Sequence, residues 1–217
     1  RVPRSERGGR GPSGRLTRTH ATHDNSRARC RPRPSSVNRV VVRLAKRTDV
    51  DALADIGARA WDATYRGIVP DAALGEWIAS NRSGWQSAFE SRAPNSPWRP
   101  WVAERDGTVL GYATSSPAKD QWLPPPEGAG ELTNLYLDPD VIGTGVGRLL
   151  YEHAVHDLAE RAFDPLVVWA FRDNPRAIGF YERMGLVIDV PNHAWILAGI
   201  ACPIVRFRGP LARTPKR

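Results

Sequence analysis

The chain has 217 residues, 41% of them hydrophobic, and a formal net charge of +8 at neutral pH, which provides for one or two domains with a sizeable core. Its two cysteines, Cys30 and Cys202, exclude a disulfide framework, and no apolar run approaches the roughly 18 residues that a membrane-spanning helix needs. The composition therefore predicts a protein of a reducing, cytoplasmic setting that is not an integral membrane protein.

The first 38 residues differ from the rest of the chain. They hold ten arginines but only Glu6 and Asp24 as acids, so they carry the whole net charge and the remainder is neutral. The segment has few apolar side chains and many Pro, Gly and Ser residues, so it cannot bury enough surface to offset its ordering entropy. We expect a disordered Arg-rich extension over residues 1–38, which can be a transit peptide, a nucleic-acid-binding arm or a solvated segment without function. Residues 211–217 form a short basic tail.

From residue 39 the sequence predicts a folded domain. The β-branched run "RVVVRLA" predicts a first strand, and apolar residues recur at helical period from residue 50 to Tyr65. A second helical stretch begins at Asp71 and reaches Phe89. Because "SNRSG" interrupts that stretch, it predicts two short helices.

The segments that follow predict a hairpin, a strand and a crossover helix. Asp106-Gly107 is a turn pair between two alternating runs, and "ELTNLYLDP" predicts a fourth strand. A glycine run then opens a helix. The domain is completed by the strand "PLVVWAF", a helix at about 174–184 and strands near 186–190 and 200–208. The order β-α-α-β-β-β-α-β-α-β-β describes a mixed sheet flanked by helices, without an internal repeat or a second folded domain.

The glycine run "LDPDVIGTGVGRLL" places Gly143, Gly145 and Gly147 just before a helix, where exposed amides suit a phosphate. A P-loop is excluded because Gly147 is followed by Arg148 and Leu149 and no lysine has the needed place. A dinucleotide fingerprint fits poorly, since the spacing is G-x-G-x-G and "DPDVI" separates the glycines from the strand. Asp173 can still serve as the ribose-binding acid of that alternative. Close helix packing or a flexible turn would also explain the glycines.

A second motif, "NPRAIGFYERMGL", begins at Asn174 with a helix cap and ends with a terminating glycine. The two motifs, in this order and spacing, resemble the coenzyme A pyrophosphate loop and the following helix of the GCN5-related N-acetyltransferase (GNAT) family. With "AWDATYRGIVPD" and "IVRFRGPL", the resemblance covers about residues 39–210. It implies an α/β fold with a GNAT-like mixed, mostly antiparallel central sheet of six to seven strands flanked by about four helices.

The resemblance implies an acetyl-CoA-dependent N-acetyltransferase that acts by direct transfer to a primary amine, with acetyl-CoA as cosubstrate and no metal. Tyr181 falls on the family's general-acid tyrosine, with a packed aromatic as the alternative. The Leu137 amide is the implied oxyanion donor. The residues expected to bind the coenzyme are Leu135, Tyr136, Leu137, Ile142, Gly143, Thr144, Gly145, Val146, Gly147, Arg148, Asn174 and Tyr181, although a plain helix cap also explains Asn174.

The catalytic base is less directly implied. Members that act on ribosomal protein termini carry a glutamate in the strand before the Asn helix, where this chain has Trp169, which argues against that subclass. Glu131, which opens the fourth strand, is our candidate base, acting directly or through water. A solvated carboxylate at a strand end is the alternative.

The acceptor site and one departure from the family pattern complete the prediction. Trp61, Tyr65 and Trp77 lie on the early helices that often form the acceptor pocket, with core packing as the alternative. Ile142 replaces the usual Arg or Gln, which should weaken coenzyme binding moderately because the helix-start amides remain. The acceptor can be a small-molecule amine or a peptide, and a homodimer is one expectation because dimers are frequent in the family.

Two functional alternatives remain open at this point. In the first, the protein binds nucleic acid through the Arg-rich tail and its folded domain is a non-catalytic acetyl-CoA sensor. The affinity for nucleic acid would then fall steeply with salt. A purely structural member would have lost coenzyme binding, for which Ile142 is the sequence hint. We expect no metal site, because His153 and His156 have no evident third ligand, and no membrane partner. The neutral core argues against nucleic acid as its partner.

Overall fold

The computed structural model describes residues 39–119 and 121–211. The Arg-rich extension predicted at 1–38 and nearly all of the basic tail predicted at 211–217 lie outside the described residues. Within them are four α-helices, α1 (Val50–Tyr65), α2 (Asp71–Glu90), α3 (Val146–Glu160) and α4 (Pro175–Arg183). The strands are β1 (Val41–Leu44), β2 (Arg99–Arg105), β3 (Thr108–Pro117), β4 (Gly130–Leu137), β5 (Leu166–Phe171), β6 (Val187–Leu197) and β7 (Ile200–Gly209).

These strands form one sheet in the order β1-β2-β3-β4-β5-β7-β6. All neighbours are antiparallel except β4 and β5, which are parallel because the helix α3 crosses over between them. The predicted element order and the mixed, mostly antiparallel sheet are confirmed. At the β2–β3 turn Asp106 and Gly107 both have positive φ, 51° and 81°, which suits a tight hairpin.

The helices cover the sheet on both faces. Leu150, Ala154 and Leu158 of α3 are fully buried in a core that also contains Val168 and Phe207. On the opposite face, α1 packs against β2 and β3 with its own apolar stripe, including Leu53 and Ile56. The sheet therefore lies between a layer with α1 and α2 and a layer with α3 and α4.

Residues 71–90 form one helix, so the prediction of two short helices was wrong. The polar side chains of the "SNRSG" stretch make bonds that the helix accommodates. Ser80 Oγ donates to the Glu76 carbonyl oxygen at 2.8 Å, and Asn81 Nδ2 donates to the Ala54 carbonyl oxygen of α1 at 2.8 Å. Tertiary anchoring to α1 thus overrides the weak helix propensity of these residues.

The strand predicted near 186–190 is longer in the structure and continues to Leu197 as β6. Its far half pairs with β7 through a tight turn at Ala198 and Gly199, which both have positive φ. None of the helices at 39–119 and 121–211 is long and apolar enough to cross a membrane. The same residues hold no group of three or more His, Cys, Asp or Glu side chains that could bind a metal ion.

Candidate active site

A cleft opens where β4 and β5 separate. The two strands pair at Gly130 with Leu166 and at Glu131 with Val167, and then diverge. The cleft between them has a volume of about 700 Å³. It is lined by β4 residues 132–137, by Trp169 and Ala170 of β5, and by residues of α1 and α4. Residues of the loop that contains Gly143, Gly145 and Gly147, which we call the glycine loop, also line it.

The backbone of β4 points a free donor into this cleft. The Asp138 N–H donates to the Leu110 carbonyl oxygen of β3 at 2.9 Å. Successive amides of a strand point to opposite sides, so the Leu137 N–H points away from β3, toward the side where β5 has moved away. Leu137 also lines the cleft. The separation of the strands therefore leaves a backbone donor available to an oxygen atom bound in the cleft.

The glycine loop favours glycine at three positions for two different reasons. Gly143 and Gly145 have φ of 85° and 90°, the left-handed region that residues with a Cβ rarely adopt. At Gly147 an added Cβ would lie 3.1 Å from a methyl carbon of Leu137. The absence of side chains at these positions lets the loop turn sharply and brings the start of α3 against the end of β4.

The start of α3 presents unpaired amides to the cleft. The first helical bond runs from the Leu149 N–H to the Gly145 carbonyl oxygen at 3.1 Å, so the amides at 146–148 have no partner within the helix. Gly143, Gly145 and Gly147 all line the cleft. Amides at a helix start favour an anion through both their hydrogen bonds and the helix dipole.

The helix α4 brings two predicted residues to the opposite wall of the cleft. The Asn174 side-chain oxygen accepts a hydrogen bond from the Ala177 N–H at 3.1 Å, which caps the helix, and Asn174 is 6% exposed. Tyr181 is also buried and lines the cleft. Burial raises the pKa of Tyr181 far above its usual value, so its hydroxyl stays protonated at neutral pH. It can act as a proton donor in the cleft.

The cleft contains most of the residues expected to bind coenzyme. Thr144 and Val146 do not line it: the Thr144 hydroxyl donates to the Val141 carbonyl oxygen at 2.7 Å, and the Val146 side chain is buried in the core. The predicted residues that do line it are Leu135, Tyr136, Leu137, Ile142, Gly143, Gly145, Gly147, Arg148, Asn174 and Tyr181.

Sequence reasoning missed two arginines of α4, Arg176 and Arg183, which line the cleft. They are seven residues apart, a spacing that places both on one face of a helix. Neither forms an ion pair with a residue of the described ranges. This spacing was the signal that could have identified them.

The three aromatic residues expected at the acceptor site lie in three different environments. Trp61 is 1% exposed and stacks on Trp77, with ring centroids 3.9 Å apart. Tyr65 lines the cleft between β4 and β5, near Asn174 and Tyr136. Burial raises the pKa of Tyr65, and the side chains of Tyr136 and Asn174 oppose that rise. Trp77 lines a separate groove.

That separate groove, which we call the α2 groove, has a volume of about 510 Å³. One wall is the face of α2 from Trp77 to Ala88, continued by Ser91 and Arg92 beyond the end of the helix. The rest of its lining includes Trp98, Tyr112, Lys119 and Asn134. Asn134 lines both the α2 groove and the cleft between β4 and β5, so the two cavities meet at β4.

Glu131 lines neither the α2 groove nor the cleft between β4 and β5, and it contacts Lys119, which lines the α2 groove. It is 3% exposed, and its carboxylate accepts a hydrogen bond from the backbone N–H of Lys119 at 3.2 Å. Burial raises the pKa of Glu131, and the Lys119 N–H opposes that rise. A carboxyl group with a raised pKa is a better base near neutral pH than a solvated one.

A β-bulge decides which face of the sheet Glu131 occupies. The register of β3 and β4 shifts between Thr114 and Ser115, so β4 has one extra residue there. For this reason Leu132 and Leu135 both pack against α3, although they are three residues apart in a strand. Glu131, next to Leu132, therefore lies on the opposite face, which carries α1 and α2.

Comparison with known proteins agrees with the fold. Residues 61–186 match the acetyltransferase (GNAT) family. A probable N-acetyltransferase of Mycobacterium tuberculosis, Rv2775, is 25% identical over 177 residues, which cover 81% of this chain and 95% of that protein. The peptidyl-lysine N-acetyltransferase YjaB of Escherichia coli is 28% identical over 69% of this chain and 83% of its own length.

Among solved structures, the PaiA N-acetyltransferase of Thermoplasma acidophilum in complex with coenzyme A has a similar fold. The TM-score is 0.61 with 18% sequence identity, over 77% of this chain and 98% of that one. The match to the acetyltransferase family, together with the mixed sheet and its cleft, identifies the class of this protein as an acyltransferase. The chain belongs to the GNAT family of acetyltransferases.

Proposed function

We propose that this protein transfers the acetyl group of acetyl-CoA directly to a primary amine, and that residues 39–210 form the catalytic domain. The observation that carries the proposal is the cleft where β4 leaves β5, which is lined by Leu137 of β4 and by Gly143, Gly145 and Gly147 of the glycine loop. The Leu137 amide suits a thioester oxygen, and the amides of the glycine loop and the start of α3 suit a pyrophosphate.

The residues of the cleft fit the coenzyme. In the proposal the amides of Gly143 and of residues 145–148, including that of Val146, hold the pyrophosphate, with Ile142 contributing apolar contact alone. The Thr144 N–H is already paired, because it donates to the Val141 carbonyl oxygen at 3.3 Å. Backbone groups of residues 135–137 hold the pantetheine arm, and Asn174 contacts it from α4. Arg176 and Arg183 supply the positive charge that Ile142 lacks, because they line the same cleft.

The chemical step needs a deprotonated amine, a stabilised oxyanion and a proton for the departing sulfur. In the proposal Glu131 takes the amine proton, directly or through water, and the free amine attacks the thioester carbonyl carbon. The Leu137 N–H stabilises the negative charge that develops on the carbonyl oxygen. Tyr181 then donates its proton to the sulfur as the carbon–sulfur bond breaks, and the attacking nitrogen gives its extra proton to the Tyr181 oxygen. The products are an N-acetylated acceptor, the free coenzyme thiol and Tyr181 in its protonated form.

The acceptor residues of the proposal are Tyr65, which lines the cleft, and Trp77, which lines the α2 groove. Trp61 is too buried to touch the acceptor in this conformation, and it supports Trp77 by stacking. The similarity to a peptidyl-lysine N-acetyltransferase supports an amine of a peptide as the acceptor class.

The first test is calorimetric titration of the full chain with acetyl-CoA, with NADH as comparison, at physiological salt. We expect saturable binding of acetyl-CoA at one site and none of NADH. The double variant Arg176→Ala/Arg183→Ala should bind acetyl-CoA about tenfold more weakly and with a shallower salt dependence. Arg105→Ala, an exposed arginine that lines neither cavity, is the matched control.

The second test is release of the coenzyme thiol when an amine is added. Thiol release that requires both acetyl-CoA and an amine, with one acetylated amine formed per thiol, would support the proposal. Saturable acetyl-CoA binding without acetyl transfer to any amine would instead favour a coenzyme sensor. Failure to bind acetyl-CoA would contradict the proposal altogether.

A further inference from the structure

Asn134 of β4 lines both the α2 groove and the cleft between β4 and β5, and no other described residue lines both. Its register partner is Thr114 of β3. Tyr136, two residues further along β4, packs against the core that includes residues of α1, so Asn134 faces the same side of the sheet. An acceptor that reaches the cleft by way of the α2 groove therefore passes the Asn134 side chain.

Two threonine hydroxyls orient the Asn134 side chain. Thr133 Oγ1 donates to the Thr114 carbonyl oxygen at 3.1 Å, which uses its only proton. In the 2.6 Å contact between the two hydroxyls, Thr114 is therefore the donor. Because its own proton is engaged, Thr114 Oγ1 can only accept, and it accepts from Asn134 Nδ2 at 2.7 Å. This network determines which branch of the amide carries the nitrogen.

The side-chain oxygen of Asn134 is left as an acceptor. It receives no hydrogen bond from any residue that the structure describes. It is also not buried, since the buried side-chain polar atoms without a partner belong, in that part of the chain, to Trp61, Trp101 and Ser115. Asn134 Oδ1 is therefore accessible to a molecule bound beside it.

The candidate base lies on the same face of the sheet as Asn134. Glu131 pairs with Ser116 and Asn134 pairs with Thr114, and these partners are two residues apart in β3. At about 3.4 Å per residue, Glu131 and Asn134 are about 7 Å apart along the strand. One amine nitrogen can therefore donate to Asn134 and, directly or through water, to Glu131.

We propose that Asn134 binds the acceptor amine through its side-chain oxygen and makes the enzyme selective for primary amines. This inference rests on the proposed acetyltransferase function and narrows its acceptor class. A neutral primary amine has two N–H groups, and one of them donates to Asn134 Oδ1. After the nitrogen bonds to the carbonyl carbon, it loses one hydrogen as a proton to the Tyr181 oxygen and keeps the other in the amide product. The hydrogen that it keeps is the one donated to Asn134, so no proton moves to Asn134.

Other nucleophiles cannot satisfy Asn134 in this way. A hydroxyl, a thiol or an N-methyl amine has a single hydrogen, and that hydrogen must leave during the transfer. Asn134 Oδ1 then faces a lone pair or a methyl group and stays unpaired, which weakens binding of the transition state. A site that hydrogen-bonds one group of a substrate discriminates strongly against analogues that lack the group.

The test uses the full-length protein, acetyl-CoA and three primary amines, which are Nα-acetyl-lysine amide, alanine amide and phenylethylamine. Thiol release gives the preference of the enzyme, defined as kcat/KM for an amine divided by kcat/KM for its N-methyl or hydroxyl analogue. We expect the wild type to prefer every primary amine that it acetylates. Asn134→Ala should lower kcat/KM for the primary amine about tenfold and leave that of the analogues nearly unchanged, so the preference falls by the same factor. The Kd for acetyl-CoA should not change, which also shows that the variant folds.

Two further variants separate the oxygen atom from packing. Asn134→Asp keeps an acceptor oxygen at the same place and should retain the preference. Thr133→Val removes the hydroxyl that engages the Thr114 proton, so Thr114 can donate to the amide and the amide can turn, and the preference should fall about threefold. Asn192→Ala, at an exposed asparagine of β6 that lines neither cavity, is the matched control and should leave the preference and all rates unchanged.

Each contrary outcome has a distinct meaning. A wild type without preference, an unchanged preference in Asn134→Ala, or an equal loss of preference in Asn134→Ala and Asn134→Asp would overturn the role of Asn134 and leave the acetyltransferase function intact. An equal fall in rate for the amines and their analogues in Asn134→Ala would do the same, since it indicates packing alone. Failure of the wild type to bind acetyl-CoA or to acetylate any of the three amines would overturn the proposed function and the role of Asn134 with it.

Discussion

Gly145 gives the sharpest test of how the loop before α3 works. Its φ of 90° lies in the left-handed region, and an added Cβ would meet nothing within 4 Å. The substitution Gly145→Ala therefore perturbs the backbone conformation and leaves packing alone. Few positions in the cleft separate these two effects.

The magnitude follows from the backbone. An L-residue with a Cβ in the left-handed region costs about 1–2 kcal/mol relative to the right-handed one. Alanine also reduces the entropy of the unfolded chain, which offsets about 0.4–1 kcal/mol. The net loss is about 1 kcal/mol, which corresponds to about a fivefold change in an equilibrium constant.

This loss can appear in two measurable quantities. If the fold holds the loop in place, the free energy of unfolding falls by about 1 kcal/mol. If the loop relaxes in the free protein, the Kd for acetyl-CoA rises about fivefold, because binding must restore the observed conformation. Urea unfolding and calorimetric titration together measure both parts.

Gly75→Ala is the matched control. Gly75 lies within α2, an added Cβ there meets nothing within 4 Å, and it lines neither cavity. Since alanine is the better helix former, this variant should be about 0.5–1 kcal/mol more stable than wild type and bind acetyl-CoA equally well. If Gly145→Ala showed neither lower stability nor weaker binding, the left-handed turn would not be required, and the role given to the glycine loop would be refuted.

Three further predictions address residues of the candidate site. Tyr181→Phe should lower kcat about a hundredfold with an unchanged Kd for acetyl-CoA, because it removes the proposed proton donor; steady-state rates and calorimetry check this, and an unchanged kcat would contradict the role. Burial raises the pKa of Glu131 above its ordinary value of 4.5, so folding favours the protonated form. The stability that this shift contributes is present below that ordinary pKa and is lost as the pH rises through the folded-state pKa. In urea unfolding, the free energy of unfolding of the wild type should therefore fall relative to that of Glu131→Gln as the pH rises from the ordinary pKa to the folded-state pKa. Parallel pH profiles of stability for the two proteins would disprove the shift. Asn174→Ala should reduce the free energy of unfolding by about 1 kcal/mol through loss of the helix cap, whereas Asn174→Asp should retain it, since a carboxylate also accepts from the Ala177 N–H.

Much of the fold could be predicted from the sequence, because its signals are local. Apolar periods distinguished helices from strands, and Asp106-Gly107 marked the hairpin. The stretch at 80–84 misled the prediction, since bonds from Asn81 to α1 hold α2 continuous there. Local propensity predicts an element well until a distant residue supplies the deciding contact.

The candidate site was predicted in part. Single motifs were enough to predict the turn at Gly143 and Gly145, because glycine itself permits a positive φ. The cap at Asn174 was predicted in the same way, because its side chain accepts from an amide only three residues away. The separate surroundings of Trp61 and Trp77 could not be read in this way. They depend on which neighbour lies over each ring, and both residues occupy similar positions in apolar helical patterns.

The sequence by itself determined the order of the elements, the glycine turn and the start of α4, all of which depend on contacts within a few residues. The tertiary structure alone decided where Glu131 lies, because strand alternation would place it on the same face as Leu135 and the β3–β4 bulge places it on the other. It also decided the α2 groove, whose walls come from residues 77–98, Tyr112, Lys119 and Asn134. Side chains so far apart in the chain meet through sheet register and helix packing, and neither leaves a local pattern in the sequence.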